Sequence, residues 1–589
     1  MQAYCSSERN IQILIMLLKL HNIRKIVISP GATNVSFVAP LQKDSWFEVY
    51  SSADERSAAY IACGMAEESG EPVVLSCTGA TASRNYIPAL TEAFYRKLPI
   101  LAVTSAQPAG RIGHNIPQCV DRTAQLNDIV NLSVQIPIIK DSEDEWAYSV
   151  KLNEAILSLR AQGGGPVHIN LTTSYGADFS MRNLPPVQVI ERIEENDELP
   201  KITAASVGIF VGSHTQWSPE LTAAVDTFCG IYNGAVLCDH TSNYCGRYEV
   251  HPNLVLDQDQ YISPRRNPEL LIHIGNVSGA YMSLMPKEVW RINPDGVARD
   301  TFRKLRYVFE MNELNFFSRY VEASGQKQPS SQLPAVSYYN EWKAEYDRIR
   351  GKVPELPFSN VWIAQNTADK LPEKSVLHLG ILNSLRSWNF FELPKSVRGY
   401  SSTGGFGIDG CVSTLIGASL AAPKRLFFGV VGDLAFFYDM NSIANRHVGN
   451  NLRLMVVNNG RGTEFKNYFH HAARLGVDVD PFIAAAGHYG RKSPDLLRHY
   501  AADLGFEYMS ASNKEEYLAS LNRFTSPNAL PNPILFEVFT DSQDESDALF
   551  AIKNIEISLK GAAKKQAKKF LREALGTKQV ERIKRLISK

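Results

Sequence analysis

The stretch LFFGVVGDLAFFYDMNSIANRHVGNNLRLMVVNNG, residues 426–460, decides the fold of its region. An apolar run, Leu426–Val431, is typical of a buried strand and ends at Gly432-Asp433. A helical segment is predicted at roughly Asp439–Arg446, and a second strand, Leu452–Asn458, follows it. A strand-helix-strand crossover is right-handed and brings both strand ends to the same edge of a parallel sheet.

Two oxygen-bearing side chains follow these strands. Asp433 and Asn459 are 26 positions apart, yet they are predicted to meet at the sheet edge. Their carboxylate and amide oxygens suit Mg²⁺, which usually shares its ligands with phosphates, and the backbone carbonyl of Arg461 is a candidate third ligand. Gly432 allows close backbone approach, and the helix start offers N–H groups to a diphosphate. Each turn alone is an ordinary strand end, so it is their spacing that indicates a metal-diphosphate site.

The rest of the chain repeats this alternation of short apolar runs with helix-like segments. With 589 residues it is too long for one hydrophobic core, and about three domains are expected. Segments near 184–200 and 323–337 predict linkers. The fold class is therefore predicted as α/β, with three doubly wound parallel-sheet domains at residues 1–185, 186–340 and 351–550, the first and third of which could share one architecture. The predicted strands are Lys25–Ser29, Pro72–Cys77, Ile100–Ser105, Pro166–Leu171, Val207–Gly212, Ala235–Asp239, Leu270–Ile274, Ser375–Leu379, Leu426–Val431, Leu452–Asn458 and Ile534–Val538.

Charge and cysteine content argue against several classes of protein. Lys and Arg total 61 and Asp and Glu total 61, so the net charge indicates no nucleic-acid partner. The eight cysteines include no CxxC pair, which argues against a zinc site or a disulfide framework. The first apolar run, Ile11–Leu18, lacks a basic leader and is too short to cross a bilayer. We expect a cytoplasmic protein.

Residues 551–589 form a separate region. From Lys553 onward this tail holds twelve Lys or Arg residues against three Glu. Apolar residues recur among the charges, which predicts one or two basic amphipathic helices. The simpler interpretation is a solvated cap packed on the body, and contact with a membrane surface or a partner is the alternative.

A carboxylate in the first domain stands at another strand-to-helix edge. Glu55 follows the predicted strand Glu48–Ser51 and opens a helix rich in Gly and Ala. A carboxylate at such an edge can point into a cleft. A glutamate at a helix start is also favoured by the helix dipole alone, so its position by itself does not indicate a catalytic role.

The spacing of Asp433 and Asn459 resembles the diphosphate motif of thiamine-diphosphate enzymes, with Leu434 in place of its last glycine. Most of residues 1–550 are similar to the acetohydroxyacid synthase and pyruvate decarboxylase group, and above all to menaquinone-pathway synthases that join 2-oxoglutarate to isochorismate. The resemblance implies pyrimidine-binding, central and diphosphate-binding domains in that order. The segments that carry it are ISPGATN (Ile28–Asn34), DERSAAYIACGMA (Asp54–Ala66), SCTGATASRNYIPALTEA (Ser76–Ala93), NSL (Asn383–Leu385), GIDGCVSTLIGAS (Gly407–Ser419) and GDLAFFYDMNSI (Gly432–Ile443).

The resemblance implies roles for residues of both outer domains. Glu55 is implied as the carboxylate that hydrogen-bonds the aminopyrimidine ring and promotes its imino form. Ile408 is our candidate for the hydrophobic wedge that bends the cofactor, with an ordinary core position as the alternative. Gln118 lies in GHNIPQCVD (Gly113–Asp121), which resembles an acetohydroxyacid synthase loop near the reactive centre. Further cofactor contacts are expected from Gly31, Thr78, Asn85, Asn383, Ser384, Gly407, Gly432, Asp433, Leu434, Ala435 and Asn459.

Several arginines of the menaquinone-pathway synthases are replaced in this chain. Ala32-Thr33 stands where their pattern reads SPGSR, and Thr403 stands where an arginine precedes GASGIDG. The arginine that follows their NSL motif falls near Trp388, although Arg386 is close enough to substitute. Since arginine binds carboxylates in a bidentate manner, its loss favours a small donor such as pyruvate. The candidate substrate contacts are Thr33, His114, Asn115, Arg386, Thr403, Glu464 and Phe465.

We therefore predict a thiamine-diphosphate- and Mg²⁺-dependent transferase or lyase. It decarboxylates a 2-oxo acid and joins the acyl carbanion to an acceptor such as a second 2-oxo acid, an aldehyde or a keto-sugar. The alternatives are the synthase reaction of 2-oxoglutarate with isochorismate and simple decarboxylation. In this superfamily two subunits complete each site, which implies a homodimer or homotetramer. FAD binding stays open but is not predicted, because residues 201–330 contain no Gly-rich dinucleotide fingerprint.

Overall fold

The computed structural model describes residues 5–174, 176, 178–214, 217–280, 282–325, 337–488, 493–528 and 530–558. These residues divide into two compact units. The first extends to Asp197 and includes Asp295–Glu310, and the second comprises Glu198–Pro294 and the chain from Met311 onward.

The first unit contains a six-stranded parallel sheet of order β2-β1-β3-β4-β6-β5. Its central strands are buried along their whole length, as their near-continuous apolar sequences predict. Its elements are α1 (Arg9–Leu20), β1 (Lys25–Ile28), α2 (Val35–Lys43), β2 (Glu48–Ser51), α3 (Glu55–Ser69), β3 (Val73–Cys77), α4 (Thr81–Arg84), α5 (Ile87–Arg96), β4 (Ile100–Ala106), β5 (Leu132–Ile136), α6 (Ser142–Ser158) and β6 (Val167–Thr172).

Helix α3 illustrates how the sequence sets the elements of this unit. The Asp54 carboxylate accepts the Ser57 N–H and caps the start of the helix, and Gly70 ends it at a φ of 66°. Ala58 and Ala62 are fully buried, and both lie on the face that packs into the core of this sheet. Small side chains there let the helix approach the sheet closely and fix the position of its first residue, Glu55.

A histidine is buried between hydroxyl groups of this sheet. His168, on β6, is 3% exposed, and its ring nitrogens contact the hydroxyls of Thr104 at 2.7 Å and Ser133 at 2.8 Å. Burial, followed by the nearby charge of Arg122, lowers the pKa of His168 from 6.5 to about 3. The folded unit therefore keeps this imidazole neutral.

The buried His168 predicts sensitivity to acid. Its depressed pKa of about 3 gives a stabilising contribution that is complete above the unfolded pKa of about 6.5 and is lost as the pH falls toward the folded value. We expect the urea midpoint, followed by circular dichroism, to be lower at pH 5 than at pH 7. His168→Gln should reduce this dependence by up to about 1.4 kcal/mol per pH unit. His447→Gln, at an exposed histidine, is the control, and an unaltered slope in the His168 variant would contradict this account.

The central region is built on a second parallel sheet. In the second unit its strands have the order β10-β9-β8-β11-β12, and in the first unit β13 pairs in parallel with β7. The region predicted as a linker at 184–200 therefore contains a short strand, because Glu191–Glu194 finds a partner more than a hundred residues later. The elements are β7 (Glu191–Glu194), β8 (Val207–Val211), α7 (Pro219–Ile231), β9 (Gly234–Leu237), β10 (Glu249–Val250), α8 (Asn253–Leu256), β11 (Leu270–Ile274), β12 (Glu288–Ile292), β13 (Leu305–Glu310), α9 (Glu313–Ala323) and α10 (Tyr338–Arg350).

The third sheet, in the second unit, is again parallel and six-stranded, with order β15-β14-β16-β17-β19-β18. Counted along the chain within each sheet, the first and third share the order 2-1-3-4-6-5. The elements are α11 (Asn360–Thr367), β14 (Val376–Leu379), α12 (Asn383–Trp388), β15 (Arg398–Tyr400), α13 (Cys411–Ala421), β16 (Phe427–Gly432), α14 (Asp433–Tyr438), β17 (Leu452–Asn458), α15 (Leu496–Asp503), β18 (Glu507–Ala511), α16 (Lys514–Phe524), β19 (Ile534–Phe539) and α17 (Ser542–Ile552).

The expected α/β fold with three parallel-sheet regions is confirmed. The helix predicted at Asp439–Arg446 is wrong: the helix begins at Asp433 itself, and Met440–Ala444 forms a short 3₁₀ turn. The middle of the second predicted linker, 326–336, and the tail from residue 559 lie outside the described residues. Within the part of the chain that is described, no helix combines the length and apolar character needed to cross a membrane.

Candidate functional site

The ends of β16 and β17 meet at Asp433. This carboxylate is 5% exposed, and its Oδ1 accepts the Leu434 N–H at 2.9 Å. Its Oδ2 accepts the Gly460 N–H at 2.7 Å, which ties Asp433 to the residue directly after Asn459. Two sites far apart in sequence are thus joined by one hydrogen bond, as the crossover geometry predicts.

The loop after β17 continues this edge. Asn459 is buried, and the carbonyl of Arg461 accepts the Thr463 N–H at 2.9 Å. The Arg461 side chain is held by Asp480 at 2.9 Å, so any metal contact of this residue falls to its backbone. Burial raises the pKa of Glu545 to about 7, with the negative charge of Asp433 as a lesser cause. A second carboxyl group therefore resists ionisation near this edge.

Small and apolar residues flank Asp433. A side chain at Gly432 would meet nothing within 4 Å, so the backbone there faces open space. Leu434 approaches the next loop, because a Cβ at Gly462 would lie 3.4 Å from its Cδ1. Ala435 is buried in the core of the third sheet.

Helix α12 carries three predicted site residues into a polar network. Arg386 donates to Glu464 in a bidentate manner, at 2.5 Å and 3.1 Å, and to the Asn383 side chain at 3.2 Å. Asn467 donates to the same Asn383 oxygen at 3.2 Å and to Glu464 at 3.3 Å. Ser384 is buried beside them. The structure thus brings together Asn383, Arg386 and Glu464.

This network lines a cavity of about 430 Å³ in the second unit. Its wall holds two cations, Arg386 and Lys553, and each faces an acid. Glu464 pairs with Arg386, and Asp257 lies 3.4 Å from the Lys553 ammonium. His470 also lines the cavity. A ligand carboxylate entering this space must compete with an existing ion pair.

The segment from Thr403 to Ile408 lies partly in the core. Thr403 is 4% exposed, and its methyl group would lie 3.3 Å from a Cβ at Gly279. A Cβ at Gly407 would lie 2.2 Å from the carboxylate of the exposed Asp409, so a side chain there would displace that carboxylate. Ile408 is half-buried and packs against the core of the third sheet. Phe465 meets the His470 ring edge-on, with centroids 5.3 Å apart.

In the first unit, the Glu55 side chain is hydrogen-bonded to Asn85, which the sequence also predicted as a cofactor contact. Asn85, at the end of α4, donates to Glu55 Oε2 at 3.3 Å. Glu55 is half-buried at the first turn of α3. The carboxylate is thus oriented while part of it stays accessible.

Thr33 is enclosed in a hydrogen-bonded corner. It is 2% exposed, and its hydroxyl lies 2.6 Å from that of Thr78 and accepts the Gly79 N–H at 3.2 Å. Gly31 permits this contact, because a Cβ there would lie 2.3 Å from Thr78 Cβ. In this unit Thr33 therefore shapes the loop that follows β1.

The loop after β4 presents the remaining predicted residues. His114, Asn115 and Gln118 are exposed, and Asn115 and Gln118 have positive φ values of 57° and 63°. Both φ values lie in the left-handed region, so the backbone of this loop is neither helical nor extended at these two residues.

Arg122 is a buried residue beside this loop that was not among the predicted site residues. Arg122 is 5% exposed and donates to Ser83 at 3.0 Å and to the Ser105 carbonyl at 3.2 Å. A Cβ at Gly79 would lie 3.3 Å from its Nη1 and 3.4 Å from the Gln118 carbonyl. The only sequence signal for Arg122 was its position four residues after Gln118. Its hydrogen-bond partners, Ser83 and Ser105, are too distant in sequence for a pattern to connect them.

Comparison with known proteins gives this geometry a context. A family described as "Thiamine pyrophosphate enzyme, N-terminal TPP binding domain" matches residues 10–125. The 2-succinyl-5-enolpyruvyl-6-hydroxy-3-cyclohexene-1-carboxylate synthase of Bacteroides fragilis is 31% identical over 572 residues, covering 92% of this chain and 98% of the relative. The synthase of the same name from Phocaeicola vulgatus is 31% identical over 579 residues, with the same coverage. That of Flavobacterium johnsoniae is 27% identical over 560 residues, covering 90% and 95%.

The chain belongs to this family of thiamine-diphosphate-dependent enzymes. The chemistry of the residues at the third sheet fits the cofactor of the family. Asp433 and the Asn459 side chain are oxygen donors, as is the Arg461 carbonyl, and a hard divalent ion that bridges to a diphosphate requires such donors. Each Asp433 oxygen accepts a backbone N–H, which fixes the orientation of the carboxylate at this edge. In the family context Glu55 and Asn85 would hold the pyrimidine end.

Proposed function

We propose that this protein is a Mg²⁺-dependent enzyme that decarboxylates a 2-oxo acid and joins the acyl group to an acceptor, forming a carbon-carbon bond. The observation that carries this proposal is the hydrogen bond from Gly460 to Asp433, at 2.7 Å, in a chain that aligns nearly end to end with synthases of this family. Thiamine diphosphate, when bound, supplies the carbanion chemistry itself. The chain must bind and orient the reactants and manage protons.

The residues divide this work between them. Asp433, Asn459 and the Arg461 carbonyl would hold Mg²⁺ and through it the diphosphate. Glu55 would exchange a proton with the aminopyrimidine, with Asn85 fixing its orientation. The cavity around Arg386 would hold the donor and acceptor. Its polar network presents donors and acceptors in fixed positions.

The relatives support one substrate pair. Their name describes a succinyl-bearing cyclohexene carboxylate, so 2-oxoglutarate with isochorismate is the first pair that we propose to test. The paired Arg386 supports a second candidate, a small donor such as pyruvate with a 2-oxo acid, aldehyde or keto-sugar acceptor. The Glu464 carboxylate already neutralises the guanidinium that a dicarboxylate donor would need.

A panel of donors and acceptors tests the function directly. Purified protein with thiamine diphosphate and Mg²⁺ should release CO₂ from a 2-oxo acid, and the right acceptor should yield a carboligation product by mass spectrometry. Product from 2-oxoglutarate and isochorismate supports the first pair, and product from pyruvate alone supports the second. Absence of CO₂ release from every 2-oxo acid would overturn the proposal.

Replacing Glu464 tests how Arg386 is used. In Glu464→Gln the guanidinium loses its charged partner and becomes available to a substrate carboxylate. We expect kcat/KM for 2-oxoglutarate relative to pyruvate to rise about tenfold, the size of one charge-assisted hydrogen bond. The matched control is Glu507→Gln, since Glu507 forms a bidentate pair with Arg523 at 2.8 Å and 2.7 Å elsewhere in the same unit. An equal fall for both donors would show that the Arg386 pair is structural.

We also propose that two chains complete each site, in a homodimer or homotetramer. Helix α3 supports this, because it begins at Glu55 and exposes Tyr60 and Ile61 by 47% and 46%. Tyr95, on α5, is 68% exposed. An apolar surface that begins beside a proposed catalytic carboxylate fits a subunit interface. Light scattering after size exclusion measures the assembly, and an active monomer would contradict it.

A further inference from the structure

A second cavity of the second unit, of about 440 Å³, is separate from the one that contains Arg386. We call it the cationic cavity. One wall is the loop after β9, residues Asp239–Cys245, and another is the segment Leu393–Arg398 before β15. Its volume lies within the range of small-molecule sites.

The two walls are locked together. The Asn243 side chain accepts the Gly399 N–H at 2.9 Å and donates to the Gly399 carbonyl at 3.1 Å. His240 N–H donates to the Asn389 side chain at 3.0 Å. A Cβ at Gly399 would lie 1.9 Å from the His240 carbonyl, so the backbones touch where they cross. The cavity is therefore a preformed space between fixed walls.

Four cations line this space: Lys374, Lys395, Arg398 and Arg425. Within the described part of the chain, none of the four forms an ion pair with a carboxylate. Arg425 is oriented by donating its Nε–H to the Lys374 carbonyl at 3.0 Å. Partial burial and the neighbouring Arg398 charge lower the pKa of Arg425, which places the two guanidinium groups within reach of each other's field.

The acids that share the cavity wall are already engaged. Asp239 accepts from Thr241 at 2.6 Å and from Ala280 at 3.0 Å. Glu249 pairs with His251 at 3.0 Å. Outside the wall, Glu373 is hydrogen-bonded to Ser396. These contacts hold both carboxylates away from ion pairs with the four cations, and the cations outnumber the acids of the wall by two.

Aromatic residues also line the cavity. Trp217 and Tyr244 meet edge-on with centroids 4.9 Å apart, and both line the cavity. His251 is 7% exposed, and in the described structure its Nδ1 has no hydrogen-bond partner. The cavity thus combines several cations with an aromatic surface and one buried polar atom.

We propose that the cationic cavity binds a phosphorylated small molecule. An excess of two cations over the acids of the wall calls for a ligand with more than one negative charge, and phosphate groups accept the paired N–H groups of arginine particularly well. A single carboxylate would balance only half of this excess. The limited volume suits a small ligand rather than a nucleic-acid strand. This site is independent of the proposed reaction.

Calorimetry on the holoenzyme tests this proposal. The protein is first saturated with thiamine diphosphate and Mg²⁺, so that the diphosphate site is filled, and is then titrated with inorganic phosphate and with adenosine 5′-diphosphate. We expect at least one probe to bind once per chain. Arg398→Gln with Arg425→Gln should weaken that binding at least tenfold. Absence of binding by both probes, or equal affinity in the double variant, would overturn the proposal.

Two further variants keep the test decisive. Lys424→Gln with Arg498→Gln removes the same charge from exposed residues that do not line the cavity, and we expect it to leave probe affinity unchanged. Lys374→Gln with Lys395→Gln removes two exposed cations of the cavity wall without touching the half-buried arginines. It should also weaken binding several-fold, and unchanged affinity there would contradict the assignment even if the arginine variant failed to fold.

Discussion

Replacing Glu55 by Gln is expected to lower CO₂ release from a 2-oxo acid by about 100- to 10,000-fold, the usual effect of removing a general acid-base group. Glutamine keeps the shape of the side chain and can still pair with Asn85, which lies 3.3 Å from the Glu55 carboxylate. It cannot take up and return a proton. Calorimetry should show that thiamine diphosphate still binds, so that the loss lies in turnover and not in affinity.

Glu67→Gln is the matched control for this change. Glu67 lies on the same helix, α3, and pairs with Arg96 at the surface. Its replacement removes the same charge and should leave turnover unchanged. Full activity in the Glu55 variant would remove the carboxylate from the mechanism. Loss of activity together with loss of cofactor affinity would instead indicate damage to the site.

Replacing Asp433 by Ala is expected to weaken Mg²⁺-dependent binding of thiamine diphosphate by about 100-fold or more, equivalent to about 2.7 kcal/mol. The carboxylate is the one charged oxygen donor in the proposed ligand set, and it also holds the Gly460 backbone at 2.7 Å. Titrations with the cofactor in the presence and absence of Mg²⁺ measure the effect. Equal affinity in the variant would refute the metal assignment.

Two further variants separate charge from structure at this position. Asp433→Asn removes the charge and keeps one acceptor oxygen, which can serve only one of the Leu434 and Gly460 N–H groups. We expect this variant to bind the cofactor weakly but better than the Ala variant. Asp503→Ala removes an exposed carboxylate at the end of α15 and should have no effect. A fully active Asn variant would show that the charge is dispensable.

Mixing the Glu55→Gln and Asp433→Ala chains tests the proposed division of each site between subunits. If each site takes Glu55 from one chain and Asp433 from the other, a mixed dimer contains one intact site and one doubly altered site. Co-expression should then restore part of the activity that each variant lacks alone. If both residues of a site came from the same chain, no mixture would recover.

The strands were largely predictable from sequence, because buried parallel strands are short apolar runs. The predicted Ile100–Ser105 and Leu452–Asn458 agree with the structure to within one residue. The helix after Asp433 was misplaced because its aromatic run, LAFFYD, has no polar face on which to detect a helical period. The strand at Glu191–Glu194 escaped notice because its charged sequence is typical of a loop, and only its distant partner makes it a strand.

The site was predictable where backbone topology alone determines proximity. The meeting of Asp433 with the Asn459-Gly460 turn follows from two adjacent parallel strands. The pairing of Arg386 with Glu464 did not follow from any pattern, because it depends on side-chain geometry between residues 78 positions apart. The sequence suggested that Arg386 is available to bind a substrate carboxylate. In the structure its guanidinium already pairs with Glu464.

The strand order that the first and third sheets share affects how the chain folds during synthesis. In each sheet the strand made last inserts between two strands made earlier: β6 pairs with both β4 and β5, and β19 pairs with both β17 and β18. An edge strand such as β5 therefore has no partner in its sheet until residues as far as Thr172 have left the ribosome. A nascent chain halted just before that point exposes an unsatisfied β-edge, which makes the interval a natural moment for chaperone capture or aggregation. The same vulnerable interval recurs before Phe539.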